Sequence, residues 1–139
     1  MKIAIVGSSH LSENEEHEAR KTCGIILNDT IKREGGPENV IFVSGGAKGV
    51  DSIGEEAAKS LDLSLEIYHP TEQNWNAFKI RNIRIAQECD VIYSLPTKFK
   101  NEACYHCNDP THEKSGACWT LKYAASLKDK KRECHVLPL

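Results

Sequence analysis

The segment Ser44-Gly45-Gly46-Ala47-Lys48-Gly49-Val50-Asp51 sets three glycines, a lysine and a carboxylate within eight residues. Glycines let a backbone approach a ligand closely. A helix beginning just after them offers free N–H groups and the positive end of its dipole. Those are the requirements for holding phosphate, and Lys48 adds a charge. The glycine spacing fits neither the dinucleotide fingerprint nor a Walker loop. A tight strand–helix turn without a ligand would use the same residues. Three further segments carry related chemistry. Gly7-Ser8-Ser9-His10 supplies hydroxyls that can donate to phosphate or ribose, or else is a polar loop before a helix. Arg81-Asn82 pairs a bidentate phosphate donor with an amide suited to a base or ribose edge, or else is a solvated helix surface. Asp51 and Arg81 could instead form a purely structural ion pair. Ser115-Gly116 repeats the logic of a small, polar helix start.

A different chemistry is written in Cys104-x2-Cys107-x4-His112-x5-Cys118. Zinc takes four thiolate or imidazole ligands in a tetrahedron, and a two-residue gap lets the first pair chelate one ion. The spacing resembles that of a zinc knuckle lengthened by one residue, and it implies a zinc-binding loop at 101–118. His106 is a rival ligand to His112. Four protein ligands leave no open position, so the ion would be structural. It would fix Ser115 and Gly116 against the ligand site. Reduced thiols in a flexible loop are the alternative. Cys23, Cys89 and Cys134 fall on apolar elements and read as buried small hydrophobes. His10, His17, His69 and His135 have no Ser or Cys partner at recognisable spacing. Asp51 and Glu55, four apart on one helical face, are the only acidic pair worth testing for hydrolysis.

The elements that must position these residues alternate. Lys2–Val6 reads as a strand. Ser12 and Glu15 have capping-box spacing. They open a helix whose apolar positions Ala19, Cys23, Ile26, Leu27 and Ile31 recur at helical spacing up to Gly35-Gly36-Pro37. Val40–Val43 is a fully apolar run, as expected of a strand buried on both faces. Ile53, Ala57 and Leu61 mark a second helix, Leu63–Tyr68 a third strand, and Trp75 to Glu88 a third helix. Asp90–Leu95, a long loop over 96–115, a helix from Gly116 to Leu127 and a strand Glu133–Leu137 complete the chain. Such alternation predicts an α/β Rossmann-like three-layer sandwich with helices on both faces of a parallel sheet. The expected order, 3-2-1-4-5, puts a switch point between the first and fourth strands. Ligands of open α/β sheets sit in that crevice. Three polar helix starts would converge there.

The 139 residues suffice for one domain, 1–139, with a real core. The formal net charge of -2 argues against a dedicated nucleic-acid binder. Residues 98–139 hold eight Lys/Arg against five Asp/Glu, a modest basic excess that could still meet an anion. No secretory signal or membrane-length apolar run is present, so a cytoplasmic protein with reduced thiols and no membrane partner is expected.

The glycine turn, the segment Trp75-x-x-Phe78-x-x-Arg81-Asn82 and Ser115-Gly116-Ala117 before a helix together resemble the SLOG superfamily. That superfamily includes the DNA-processing protein A family, the Lonely Guy hydrolases and the YspA-like proteins. The resemblance implies a Rossmann-like fold, a nucleotide or nucleotide-derived ligand and a homodimer. By position it implies a ligand-facing set of Gly7, Ser8, Gly45, Gly46, Lys48, Gly49, Asp51, Arg81, Asn82, Ser115 and Gly116, to which the residue chemistry adds Ser9 and Ser44. Lonely Guy enzymes carry Pro-Gly-Gly-x-Gly-Thr-x-x-Glu near the fourth helix. This chain has Lys114-Ser115-Gly116-Ala117-Cys118-Trp119 and no such Glu, which speaks against phosphoribohydrolase activity. The expectation is therefore a binding or sensing protein for a nucleotide-like small molecule. An N-glycoside or nucleotide hydrolase and a nucleic-acid-associated protein are the alternatives.

Overall fold

A computed structural model describes residues 1–107 and 109–139; Asn108, inside the expected zinc loop, lies outside the described residues. The elements run β1 (Lys2–Gly7), α1 (Glu13–Glu34), a 3-10 turn (Pro37–Asn39), β2 (Ile41–Ser44), α2 (Val50–Ser60) and β3 (Ser64–Ile67). They continue with α3 (Trp75–Glu88), β4 (Val91–Leu95), α4 (Gly116–Ser126) and β5 (Glu133–Val136). The five strands form one sheet in the order β3-β2-β1-β4-β5, with every neighbouring pair parallel. This is the expected order.

Strand β1 shows why the sheet is covered on both faces. Successive side chains of a strand point to opposite sides. Ile3 and Ile5 join a core with Leu27 of α1, Phe42 of β2 and Val50 and Ile53 of α2. Ala4 and Val6 join a second core with Ile85 of α3, Ile92 of β4 and Leu121 of α4. Helices α1 and α2 thus cover one face, and α3 and α4 the other. Full burial of one such aliphatic side chain contributes about 1.5–3 kcal/mol. Cys23 and Cys89 lie fully buried in these cores, and Cys134 is half-buried. No described helix is long and apolar enough to cross a membrane.

Local signals act as the spacing predicts. The Ser12 hydroxyl accepts from the Glu15 amide at 3.2 Å, and the Glu15 carboxylate accepts from the Ser12 amide at 2.9 Å, a complete capping box. Gly35 caps the far end of α1 in the left-handed conformation. The long loop is more ordered than expected. Antiparallel bridges pair Lys98 with His112 and Ala103 with Glu113. The Glu113 carboxylate accepts from the amides of Lys100, Asn101 and Glu102. These contacts fold 98–113 back on itself and bring its cysteines to the start of α4.

Candidate functional site

A cleft of about 660 Å³ opens at the carboxyl end of β1, the strand at which the order reverses, between the starts of α2 and α4 and the length of α3. Gly7 ends β1 and Ser9 follows it, Gly46, Lys48 and Asp51 come from the turn and start of α2, Arg81 and Asn82 from α3, and Gly116 from α4; all line it. The segments around Gly46, Arg81 and Gly116 share this one cavity. Its volume falls in the range of small-ligand sites, about 300–1,000 Å³.

The remaining candidates support the wall from behind. The Ser8 hydroxyl accepts from the Thr97 amide and its carbonyl accepts from the Val50 amide, both at 3.1 Å. Ser44 is fully buried; its hydroxyl donates to Glu55 and accepts from the Gly46 amide. Gly45 lies directly under the Arg81 guanidinium. Gly49, at φ 76°, packs on the Ser8–Ser9 backbone. Its positive φ and that close approach both call for glycine. Ser115 caps α4 by accepting from the Ala117 amide.

Two expectations about the turn need correction. Glu55 does not line the cleft, because its carboxylate is engaged by Ser44 behind the turn. Asp51 and Glu55 are therefore not a catalytic pair facing one space. The amides of the glycine turn are also partly occupied. Gly46 donates to Ser44, and Ala47 donates to the Asp51 carboxylate at 3.4 Å. Anion binding here would rest more on side chains than on a backbone cradle. The alternative reading, a direct structural Asp51–Arg81 ion pair, does not form among the described residues. Arg81 instead donates to the Gly45 carbonyl at 2.6 Å and the Asn82 carbonyl oxygen at 2.8 Å.

Asp51 is 4 % exposed. Burial pushes its carboxyl up to about 6, against the pull of the nearby Arg81 charge and the turn amides. Burial also draws the Arg81 guanidinium down, while Asp51 supports its charge. His10 and His69 line the same cleft, as do Trp75 and Phe78. Neither histidine has a Ser or Cys partner at recognisable spacing in the sequence. Their position just after β1 and β3, at the carboxyl ends of strands, was the available signal.

The second cluster forms as its spacing predicts. Ligand atoms of Cys104, Cys107, His112 and Cys118 lie within 4.8 Å of one another. His106 is not among them; its ring lies tilted against Tyr105, 4.4 Å between centroids. The Cys104 and Cys107 sulfurs are 3.8 Å apart, and His112 Nε2 lies 3.0 Å from Cys107 Sγ and 3.9 Å from Cys118 Sγ. Tetrahedral zinc with bonds of about 2.3 Å to sulfur and 2.0 Å to nitrogen spaces its ligands by about 3.5–3.8 Å. The donor set fits that ion. His112 Nδ1 lies 2.9 Å from the Glu113 carbonyl and donates to it, which leaves Nε2 as the ligand nitrogen. Ser94 of β4 lies 3.3 Å from Cys118 Sγ.

The fold and cleft define a Rossmann-like α/β protein with a switch-point crevice. No protein-family model matches the chain, and no curated protein matches it. Among solved structures, DNA processing protein A from Streptococcus pneumoniae superposes with a TM-score of 0.59 at 18 % identity, over 99 % of this chain and 50 % of that one. DNA processing protein A from Helicobacter pylori, described for its single-stranded DNA binding mode, gives 0.48 at 17 % identity over 73 % and 56 %. The chain thus spans about half the length of these proteins. The shared feature is the fold.

Proposed function

We propose that the crevice binds a nucleotide or nucleotide-derived small molecule, and that Cys104, Cys107, His112 and Cys118 hold a structural zinc beside it. The observation that carries the first claim is the convergence of Lys48, Arg81, Asn82 and Gly116 on one cleft, with Trp75 and Phe78 in its wall. Cationic groups suit phosphate and an aromatic face suits a base. The second claim rests on the donor chemistry and spacing of the cluster. Zinc would supply cross-linking between the folded-back loop and the first turn of α4, and nothing more. With Gly116 and Ala117 in the cleft wall and Cys118 next to them, the metal would steady that wall. We read the protein as one domain over 1–139, cytoplasmic and homodimeric.

Two other readings keep a specific support. Asp51, a buried carboxyl facing the cleft, could serve a hydrolase of the same ligand class. The fold is shared with a DNA processing protein, and single-stranded DNA presents the same phosphates and bases. One experiment separates them. The protein is incubated with nucleoside mono-, di- and triphosphates and with oligodeoxynucleotides. Thermal stabilisation by a nucleotide without product supports the binding reading, and product by chromatography supports the hydrolase. Oligonucleotide affinity with a steep salt dependence, without nucleotide binding, supports the DNA reading.

A further inference from the structure

The cleft holds the Asp51 carboxylate and the Asn82 amide deeper than Lys48, with the Arg81 guanidinium half-buried. Lys48, His10 and His69 are exposed at its rim, whereas Asp51 and Asn82 are 4 % and 7 % exposed in its floor. Phosphate is an acceptor, and a carboxylate beneath it would repel it. The floor must therefore meet a neutral part of the ligand.

The floor groups have fixed roles. One Asp51 oxygen, Oδ2, takes the Ala47 amide. The Gly45 amide also hydrogen-bonds this carboxylate, whereas Arg81 turns to the Gly45 carbonyl and to Asn82. Arg81 Nε occupies the Asn82 carbonyl oxygen and so fixes which way that amide faces. Asn82 Nδ2 has no acceptor among the described residues, yet it is not sealed from the cleft. A carboxylate has about four lone-pair sites, so the floor keeps acceptor capacity at Asp51 and a free donor at Asn82. Arg81 joins Asn82 to Gly45, in the turn that also carries Lys48 and Asp51, and Gly116 lies against Asn82 and Trp75. A phosphate at Lys48 and a base against Trp75 would leave the sugar between them, over Asp51 and Asn82.

On the nucleotide reading above, we infer that Asp51 and Asn82 hold the vicinal hydroxyls of a ribose, so that the cleft takes ribonucleotides in preference to their 2′-deoxy counterparts. Each hydroxyl can both donate and accept, and a diol matches a paired acceptor and donor. Loss of one hydroxyl leaves a buried polar group unpaired, a stronger discriminator than loss of an apolar contact.

The test is calorimetric titration of the metal-loaded protein with the four ribonucleoside 5′-monophosphates, their 2′-deoxy forms and inorganic phosphate. The expected result is a ribonucleotide that binds roughly tenfold or more tightly than its deoxy form. In Asp51→Ala that ratio falls to about one while deoxynucleotide binding persists. The wild-type comparison stands alone if Asp51→Ala does not fold. Equal affinity for the two sugars in the wild type overturns the inference but leaves the nucleotide reading intact. So does a preference for one base regardless of sugar. If none of the eight nucleotides binds, the nucleotide reading fails and the inference falls with it.

Discussion

Asp51 sits where folding alone would not place a carboxylate. Its carboxyl is held at about 6, against 3.8 for an ordinary aspartate. Below about pH 4 both folded and unfolded chains keep the proton, and the group contributes nothing. As pH rises from 4 to 6 the unfolded chain releases its proton while the folded chain retains it. Stability therefore falls through that window, by at most about 3 kcal/mol, and the full penalty remains at pH 7. Asp51→Asn removes it. Urea unfolding should show this variant more stable than the wild type at pH 7, with the gap closing towards pH 4. That is the pattern of a functional residue retained at a cost in stability. Gly45 makes a complementary case. A Cβ there would stand 2.5 Å from Arg81 Nη1. Gly45→Ala should displace the guanidinium and weaken nucleotide binding by about tenfold or more, much as Arg81→Ala does, with the circular dichroism spectrum unchanged.

At the scale of elements, the metal cluster and the glycine turn contrast in how far sequence could go. Cys104, Cys107 and Cys118 were legible because ligand spacing is a local property. The choice between His106 and His112 was not, since it depends on the bridge that pairs Lys98 with His112 and on the Glu113 carbonyl behind the imidazole. Elemental analysis should find metal retained in His106→Ala and lost in His112→Ala. Chelation should lower the melting temperature and open the loop over 98–113 to protease. It should also weaken ligand binding, through the wall at Gly116 and Ala117. A Cys104→Ser/Cys107→Ser protein without metal but with full nucleotide affinity would contradict that coupling. The parallel sheet was readable because apolar runs alternated with helical stripes; the strand order was an expectation from the fold class and not a reading of the residues. The inward turn of the Gly46 and Ala47 amides was not, because Ser44 and Asp51 capture them by side-chain placement that no periodicity encodes.

Over the whole molecule, two cores on either face of one parallel sheet leave the carboxyl end of β1 as the place where four segments meet. With a formal net charge of -2, the proposed nucleotide recognition rests on that meeting point rather than on a general field. The most direct test is calorimetric titration of the metal-loaded wild-type protein and Arg81→Ala with ribonucleoside monophosphates. Saturable one-site binding by the wild type, weakened at least tenfold in a folded Arg81→Ala, is the predicted result. No heat with any nucleotide, or binding that Arg81→Ala leaves untouched, would place the ligand elsewhere and contradict the account.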